Sequence, residues 1–278
     1  MKKIVIPFDG SHFSDGAFAF AKGINEREPI LLTGLFLPEI MYPGPYGFTG
    51  VGTLDIPALI PLLETDNTKL INQNILDFKE LCVGHGIEHR VHQATDEFAL
   101  SQLRKESRFA DIIIVGSQVF YNYNDVDKAS NEDYLASLLH HAECPVILVP
   151  ESFQFPRQVI LAYDGGESSV YAIKQFAYLF PELCEISTLL VFATANDKAA
   201  IPDLAYIEEL ASRHFKDLTL TTINADPAKY FETWTLDQKD SVLVTGAYDR
   251  SSLSLFLKES FAYKIISDRK MPIFITHK

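Results

Sequence analysis

Short, continuous apolar runs alternate along this chain with longer stretches in which apolar residues return every third or fourth position. In residues 1–150 the runs are KKIVIPF, ILLTGLFL, ADIIIVG and PVILVP, and their length and unbroken character predict strands covered on both faces. IEHRVHQ alternates apolar and polar positions instead and reads as a half-exposed strand. Helical spacing places helices over 14–22, where Ala17, Phe18 and Ala21 share one face, and over 64–83, 97–107 and 133–141.

Residues 151–278 repeat this list. Strands are predicted at QVILAYDG, ISTLLVFAT, LTLTTINA, SVLVTGA and PIFITH, separated by helices over 168–179, 204–214, 228–235 and 258–267. Strands that alternate with helices imply right-handed crossovers and a parallel sheet with helices on both faces. The expected fold is α/β, with two tandem doubly wound five-stranded parallel-sheet domains at 1–150 and 151–278. Their boundary falls in PESFQFPRQ, 150–158, a polar stretch bracketed by prolines.

Composition narrows the class. At 278 residues, 47% apolar, with a mean hydropathy of +0.05, the chain has room for two buried cores and no run of membrane-spanning length. MKKIVIP begins like an export leader, but Asp9 ends the apolar run, so a cytoplasmic protein is expected. Net charge is −13, with 11 Lys/Arg against 20 Asp/Glu in 1–150 and 13 against 17 in 151–278. No basic stripe offsets that field, which excludes nucleic acid as a partner class. Cys82, Cys144 and Cys184 form no CxxC pair and read as small buried apolar residues rather than a disulfide framework or zinc site.

Two near-copies of one strand-to-helix corner stand out: FDGSHFSDGAFAFA from Phe8 and YDGGESSVYAIKQFA from Tyr163. In an open doubly wound sheet, ligands sit beyond the carboxyl ends of the strands where strand order reverses. Asp9-Gly10-Ser11 ends the first strand and Gly116-Ser117 the fourth; Asp164-Gly165-Gly166 and Gly246-Ala247 are their counterparts. If first and fourth strands are neighbours, each half sets an acidic-glycine corner beside a glycine-ended strand, with backbone N–H groups exposed at a helix start. The same residues also suit plain scaffolding, because a tight turn takes Gly and a helix start takes Asp or Ser.

On these residues the chain resembles the universal stress protein (UspA-like) family in tandem form, over nearly the whole of both halves. The resemblance rests on the strand–DG(S/G)–helix corners at Asp9 and Asp164, on ADIIIVGS and DSVLVTGA, and on the terminal ECPVILVP and KMPIFITH. It implies an adenine nucleotide alpha hydrolase-like fold, and two domains paired about a pseudo-twofold axis through their last strands. Members that bind ATP carry, after strand four, Gly, two residues, Gly, nine residues, then Gly-Ser or Gly-Thr.

This chain departs from that pattern. Its second half keeps the spacing as Gly246, Asp249 and Glu259-Ser260, so carboxylates replace two of three glycines; counting back from Pro145 puts Glu132-Asp133 at the third position of the first half. Two like charges ~4 Å apart cost roughly 4 kcal/mol at an effective dielectric of 20. A thousandfold loss of affinity corresponds to about the same energy. Neither half is therefore expected to bind ATP in the family's usual way, although Arg250, Lys258 or Mg²⁺ would offset part of the charge.

Other constellations weigh less. DGGESS resembles the SGGxDS loop of ATP pyrophosphatases, but Asp164 replaces its first Ser and Ser168 its Asp. No GxxxxGK[ST] or GxGxxG motif is present. His89 and His92 are expected on opposite faces of a strand, which argues against a shared metal. Ser11 and Ser14 read as helix caps rather than nucleophiles. The stretch LPEIMYPGPYGFTGVGTLDIPALIPLLE lengthens the first half, so that Asp9 to Gly116 spans 107 positions against 82 from Asp164 to Gly246. Such a Gly-, Pro- and aromatic-rich loop suits a docking surface, and YNYNDVD at 121–127 would extend it.

The reading taken forward is a non-catalytic, cytoplasmic stress-response or signalling protein that acts by protein or self-association, as a homodimer or with another protein, and carries a degenerate nucleotide pocket. Adenine-nucleotide binding (ATP or AMP), mainly in the second half, is the second reading. Weak nucleotide hydrolysis or adenylate formation is the third, with only Asp9 and Asp164 at the pocket and no base beside a nucleophile. Pocket residues are Asp164, Gly165, Gly166, Gly246 and Ser260 in the second half, and Asp9, Gly10, Ser11, Gly116 and Ser117 in the first. No metal ligand or required cofactor is expected.

Overall fold

The computed structural model describes residues 1–9, 13–37, 56–94, 99–116, 142–194, 196, 199–224, 238, 240–246 and 271–276. The first half contributes β1 (Lys2–Asp9), α1 (Asp15–Asn25), β2 (Ile30–Leu37), α2 (Ile56–Gly84), β3 (Glu88–Gln93), α3 (Ala99–Arg108), β4 (Ile112–Gly116) and β5 (Val146–Val149). The second contributes β6 (Gln158–Ala162), α4 (Glu167–Leu179), a 3-10 turn (Pro181–Glu185), β7 (Ser187–Thr194), α5 (Leu204–His214), β8 (Asp217–Asn224), β9 (Ser241–Gly246) and β10 (Ile273–Thr276). The helices expected over 133–141, 228–235 and 258–267 lie outside the described residues.

All ten strands form one sheet in the order β3-β2-β1-β4-β5-β10-β9-β6-β7-β8. Each half is parallel and doubly wound. β1 lies between β2 and β4, so the chain reverses direction across the sheet at β1/β4 and again at β6/β9. The halves join through β5 and β10, which pair antiparallel with Ile273 opposite Leu148, Phe274 opposite Ile147 and Ile275 opposite Val146. The five-stranded halves and their meeting through the last strands are as expected.

Strand alternation sends side chains into two cores. Ile4, Ile6, Phe8, Phe36, Ile147 and Phe274 pack under α1, α2, α4 and α5 on one face. Val5, Leu35, Ile113, Leu148 and Ile273 pack on the other, where α3 supplies Leu103. Both cores run unbroken across the β5–β10 junction. Lys2, only 8% exposed, adds a charged link there: its ammonium pairs with Glu28 of the first half and, at 3.4 Å, with Glu182 of the second.

The structure corrects the start of α2 and the burial of Cys144, and it defines the stretch between the halves. α2 begins at Ile56, not near residue 64, so IPALIPLLE is helical and the expected loop is shorter. Pro57 suggested a loop, yet it sits in the first helical turn, where its missing N–H needs no partner. The stretch 150–158 between the halves is a strap packed on α1: Phe153 and Phe155 lie 5.8 and 5.4 Å from Phe20, and the Arg27 guanidinium sits 4.0 Å over Phe155. Cys82 and Cys184 are buried as expected, but Cys144 is only partly so.

Candidate functional site

The parallel register brings the ends of β1 and β4 together, and likewise β6 and β9. Asp9 and Gly116 therefore lie on the carboxyl edge of adjacent strands, and Asp164 and Gly246 on the corresponding edge of the second half. Gly10, Ser11, Ser117 and Ser260 lie outside the described residues, as do Glu132, Asp249 and Glu259.

In the second half the corner is closed by its own groups. Asp164 Oδ1 accepts from the Gly166 N–H at 2.7 Å and from the Ser169 hydroxyl at 2.7 Å. Ser169 Oγ also lies 2.9 Å from the Gly166 carbonyl. Gly165 turns the chain at φ +84°, a left-handed backbone that disfavours side chains, and a Cβ there would lie 2.7 Å from Pro202. Gly166 is the N-cap of α4 and has no side chain with which to cap it. Gly246 meets the same helical turn: a Cβ on it would fall 2.3 Å from the carbonyl carbon and oxygen of Ser168. Close packing of strand end on helix start is thus sufficient reason for glycine at 246. Tyr163 buttresses the corner by donating from its hydroxyl to the Pro202 carbonyl at 3.0 Å. Burial, with the Asp203 and Asp164 carboxylates, pushes its phenol above the ordinary value.

The first corner is built differently although its sequence is a near-copy. α1 starts six residues after Asp9, whereas α4 starts three after Asp164. Ser14 is the N-cap, and its Oγ accepts from the Ala17 N–H at 3.2 Å. A carboxylate from the strap completes the cap. Glu151 Oε1 accepts from the N–H groups of Asp15 at 2.6 Å and Gly16 at 3.3 Å, while Oε2 accepts from the Ser14 hydroxyl at 3.1 Å. Two of the backbone donors left over at a helix start are thereby satisfied by a charge of the favourable sign. Nothing in the local pattern singled out Glu151, because its partners are some 136 residues away in the chain.

Beside this corner, a cleft of about 560 Å³ runs between the start of α1 and the end of α2, lined by Phe13, Asp15, Asp77, Glu80, Leu81, Gly84 and His85. Its three carboxylates disfavour an anionic occupant. The histidines do divide between faces: the His89 ring meets Phe78 of α2 at 6.0 Å, while His92 Nδ1 lies 2.8 Å from Glu106 of α3. Among the described residues no group of three or more His, Cys, Asp or Glu is placed to hold a metal ion.

Comparison with known proteins agrees at the level of fold. No family model and no curated protein matches the chain. Among solved structures, a universal stress protein from Archaeoglobus fulgidus is similar over 100% of this chain and 96% of its own, with a TM-score of 0.69 and 14% identity. A functionally unknown protein from Pseudomonas aeruginosa PAO1 follows at a TM-score of 0.55 and 15% identity, covering 100% and 92%. A candidate universal stress protein from Pseudomonas aeruginosa UCBPP-PA14 gives 0.53 and 13%, covering 100% and 93%. The chain has the universal stress protein fold.

Proposed function

We propose that this chain is a divergent tandem universal stress protein, with domains at 1–150 and 151–278, that acts by association and not by catalysis. In open doubly wound sheets ligands sit beyond the carboxyl ends of the strands where their order reverses, which in this chain is the edge of β1/β4 and β6/β9. The observation that carries the reading is what the polar groups there are engaged in. Asp164 Oδ1 ties down its own turn and Glu151 sits on the amides of α1, so each corner stabilises its helix with groups a ligand would otherwise use. Sequence register adds Glu132, Asp249 and Glu259 where the family's phosphate loop has glycine. The protein is accordingly a cytoplasmic stress-response module with a degenerate nucleotide pocket, no required cofactor and a protein partner or second copy as its target.

Calorimetry of the whole chain with ATP and AMP, with and without Mg²⁺, tests this. No micromolar binding is expected; a micromolar ATP affinity that disappears in Asp164→Ala overturns it. Light scattering tests the association arm, where a dimer that dissociates on removal of residues 42–52 is expected and a monomer at all concentrations counts against self-association.

One observation favours the second reading, retained adenine-nucleotide binding in the second half. α4 starts on a glycine without a side-chain cap, in contrast to α1. Stoichiometric nucleotide released from the purified protein on denaturation would establish it.

A further inference from the structure

We propose that β8 is a surface through which two copies of this chain associate, its outer edge pairing antiparallel with the same edge of the second copy. The inference rests on self-association as the proposed function reads it, and adds a contact of its own, independent of residues 42–52.

β3 and β8 are the outer strands of the sheet, and among the described residues neither has a strand on its outer side. An open edge offers a row of N–H and C=O groups to any further strand, and proteins guard such edges with charge, proline or bulges. β3 is guarded. Its six residues include Glu88, His89, Arg90 and His92, and the Arg90 guanidinium lies 3.7 Å from Glu88 with both side chains more than half exposed. β8 is not. DLTLTTIN has no ionisable side chain after Asp217, no proline and no glycine. All eight of its residues pair with β7 in unbroken register, from Ser187 to Thr194. A regular, neutral strand of this kind is one that another strand can extend.

A second copy fits this edge. Leu218 and Leu220 belong to the core on one face and Ile223 to the core on the other, yet each is only partly buried. A strand added beside β8 would cover both faces at once. Each chain carries −13, and β8 is a stretch where two of them can meet without burying charge. A twofold axis through the sheet keeps each core on its own side, so one residue of β8 must face its own copy. With Leu220 on the axis, Asp217 would stand against Ile223. With Thr221 on it, pairing runs from Leu218 to Asn224 and leaves Asp217 outside. That register sets Thr219 against Ile223 and Leu220 against Thr222, so every pair is neutral. The chain already joins β5 to β10 in the same manner, antiparallel and with equivalent residues opposed.

Sedimentation equilibrium of the whole chain and of Thr219→Lys, Thr222→Lys and Gln93→Lys is the test. Thr219 and Thr222 are exposed, so a lysine at either should leave the fold intact, which circular dichroism checks. Wild type should be a dimer, and either lysine should weaken it at least about tenfold by guarding the edge with charge. Gln93→Lys, at an exposed position on β3, should change nothing. A short bifunctional thiol reagent should join Thr221→Cys to its copy and leave Gln93→Cys monomeric, which gives a readout that needs no loss of stability. Lysine variants as dimeric as wild type overturn the proposal, as does cross-linking at position 93 rather than 221. A dimer lost on removal of residues 42–52 but kept in both β8 lysine variants overturns this inference and leaves the proposed function standing. A wild type that is monomeric at every concentration overturns it too, and would give the open edge to an extended segment of a different protein.

Discussion

Ile147 and Phe274 stand opposite each other in the antiparallel pair that joins the halves, and each occupies the second place after the proline that precedes its strand, Pro145 or Pro272. Equivalent residues that face one another place a local twofold axis between them. The junction is therefore a symmetric interface fused within one chain. Phe274 is fully buried and lies 5.3 Å from Phe176 and 6.1 Å from Phe180. Phe274→Ala should destabilise the protein by about 3–5 kcal/mol through the cavity it leaves. Urea unfolding monitored by circular dichroism measures it, and a loss below about 1 kcal/mol would mean that the junction relaxes to fill the space.

Gly246 is held to glycine by packing. A methyl group there would enter the backbone of Ser168, so Gly246→Ala should cost about 1–3 kcal/mol in ligand-free protein. Chemical denaturation without nucleotide is the measurement. An unchanged midpoint would return Gly246 to a role in ligand binding alone.

Acid should release a surface clasp. Glu143, beside the entry to β5, accepts from Arg108 at 2.7 Å and Arg104 at 3.1 Å. The Arg108 hydrogen bond is the main cause that lowers its carboxyl from 4.5 to about 2. A depressed folded-state value contributes stability above the unfolded value, and that contribution fades as pH falls from about 4.5 towards 2. Arg108→Gln should flatten this part of the pH–stability curve. Because both arginines are 55% exposed, added salt should shrink the effect in wild type. An acid profile identical in Arg108→Gln and wild type contradicts the assignment.

The thiols should be inert in the folded state. Burial raises Cys82, Cys144 and Cys184 to about 12, with Asp111 and Glu143 adding to Cys144 and Glu182 and Glu185 to Cys184. Thiolate is the reactive form. Alkylation at pH 8 should be slow for all three and become rapid in urea. Cys144, being only partly buried, is the one whose fast native labelling would show that local opening outweighs its raised pKa.

The element list was legible because it depends on short-range pattern. Unbroken apolar runs such as IIIVG and VILV could only be strands buried on both faces, and both strands are fully buried. The repeat of five strands and the return of corner sequences pointed to paired sheets before any contact was known. α2 was misplaced at its start because Pro57 carries the same local signal in a loop and in a first helical turn, and only packing distinguishes them.

The corners show where pattern stops. Two similar strings end differently, since α1 is capped by Ser14 and by Glu151 from beyond β5, whereas α4 starts on a glycine with no side-chain cap and Asp164 ties down only the turn before it. By itself the sequence determined the ten strands and the duplication, because each follows from neighbouring residues or from counting. Only the tertiary structure decided that 150–158 is a strap on α1, that Gly246 abuts Ser168, and that the first helix start already holds a carboxylate. Those contacts join residues far apart in the chain, and their partners are chosen by the path of the backbone rather than by any local preference.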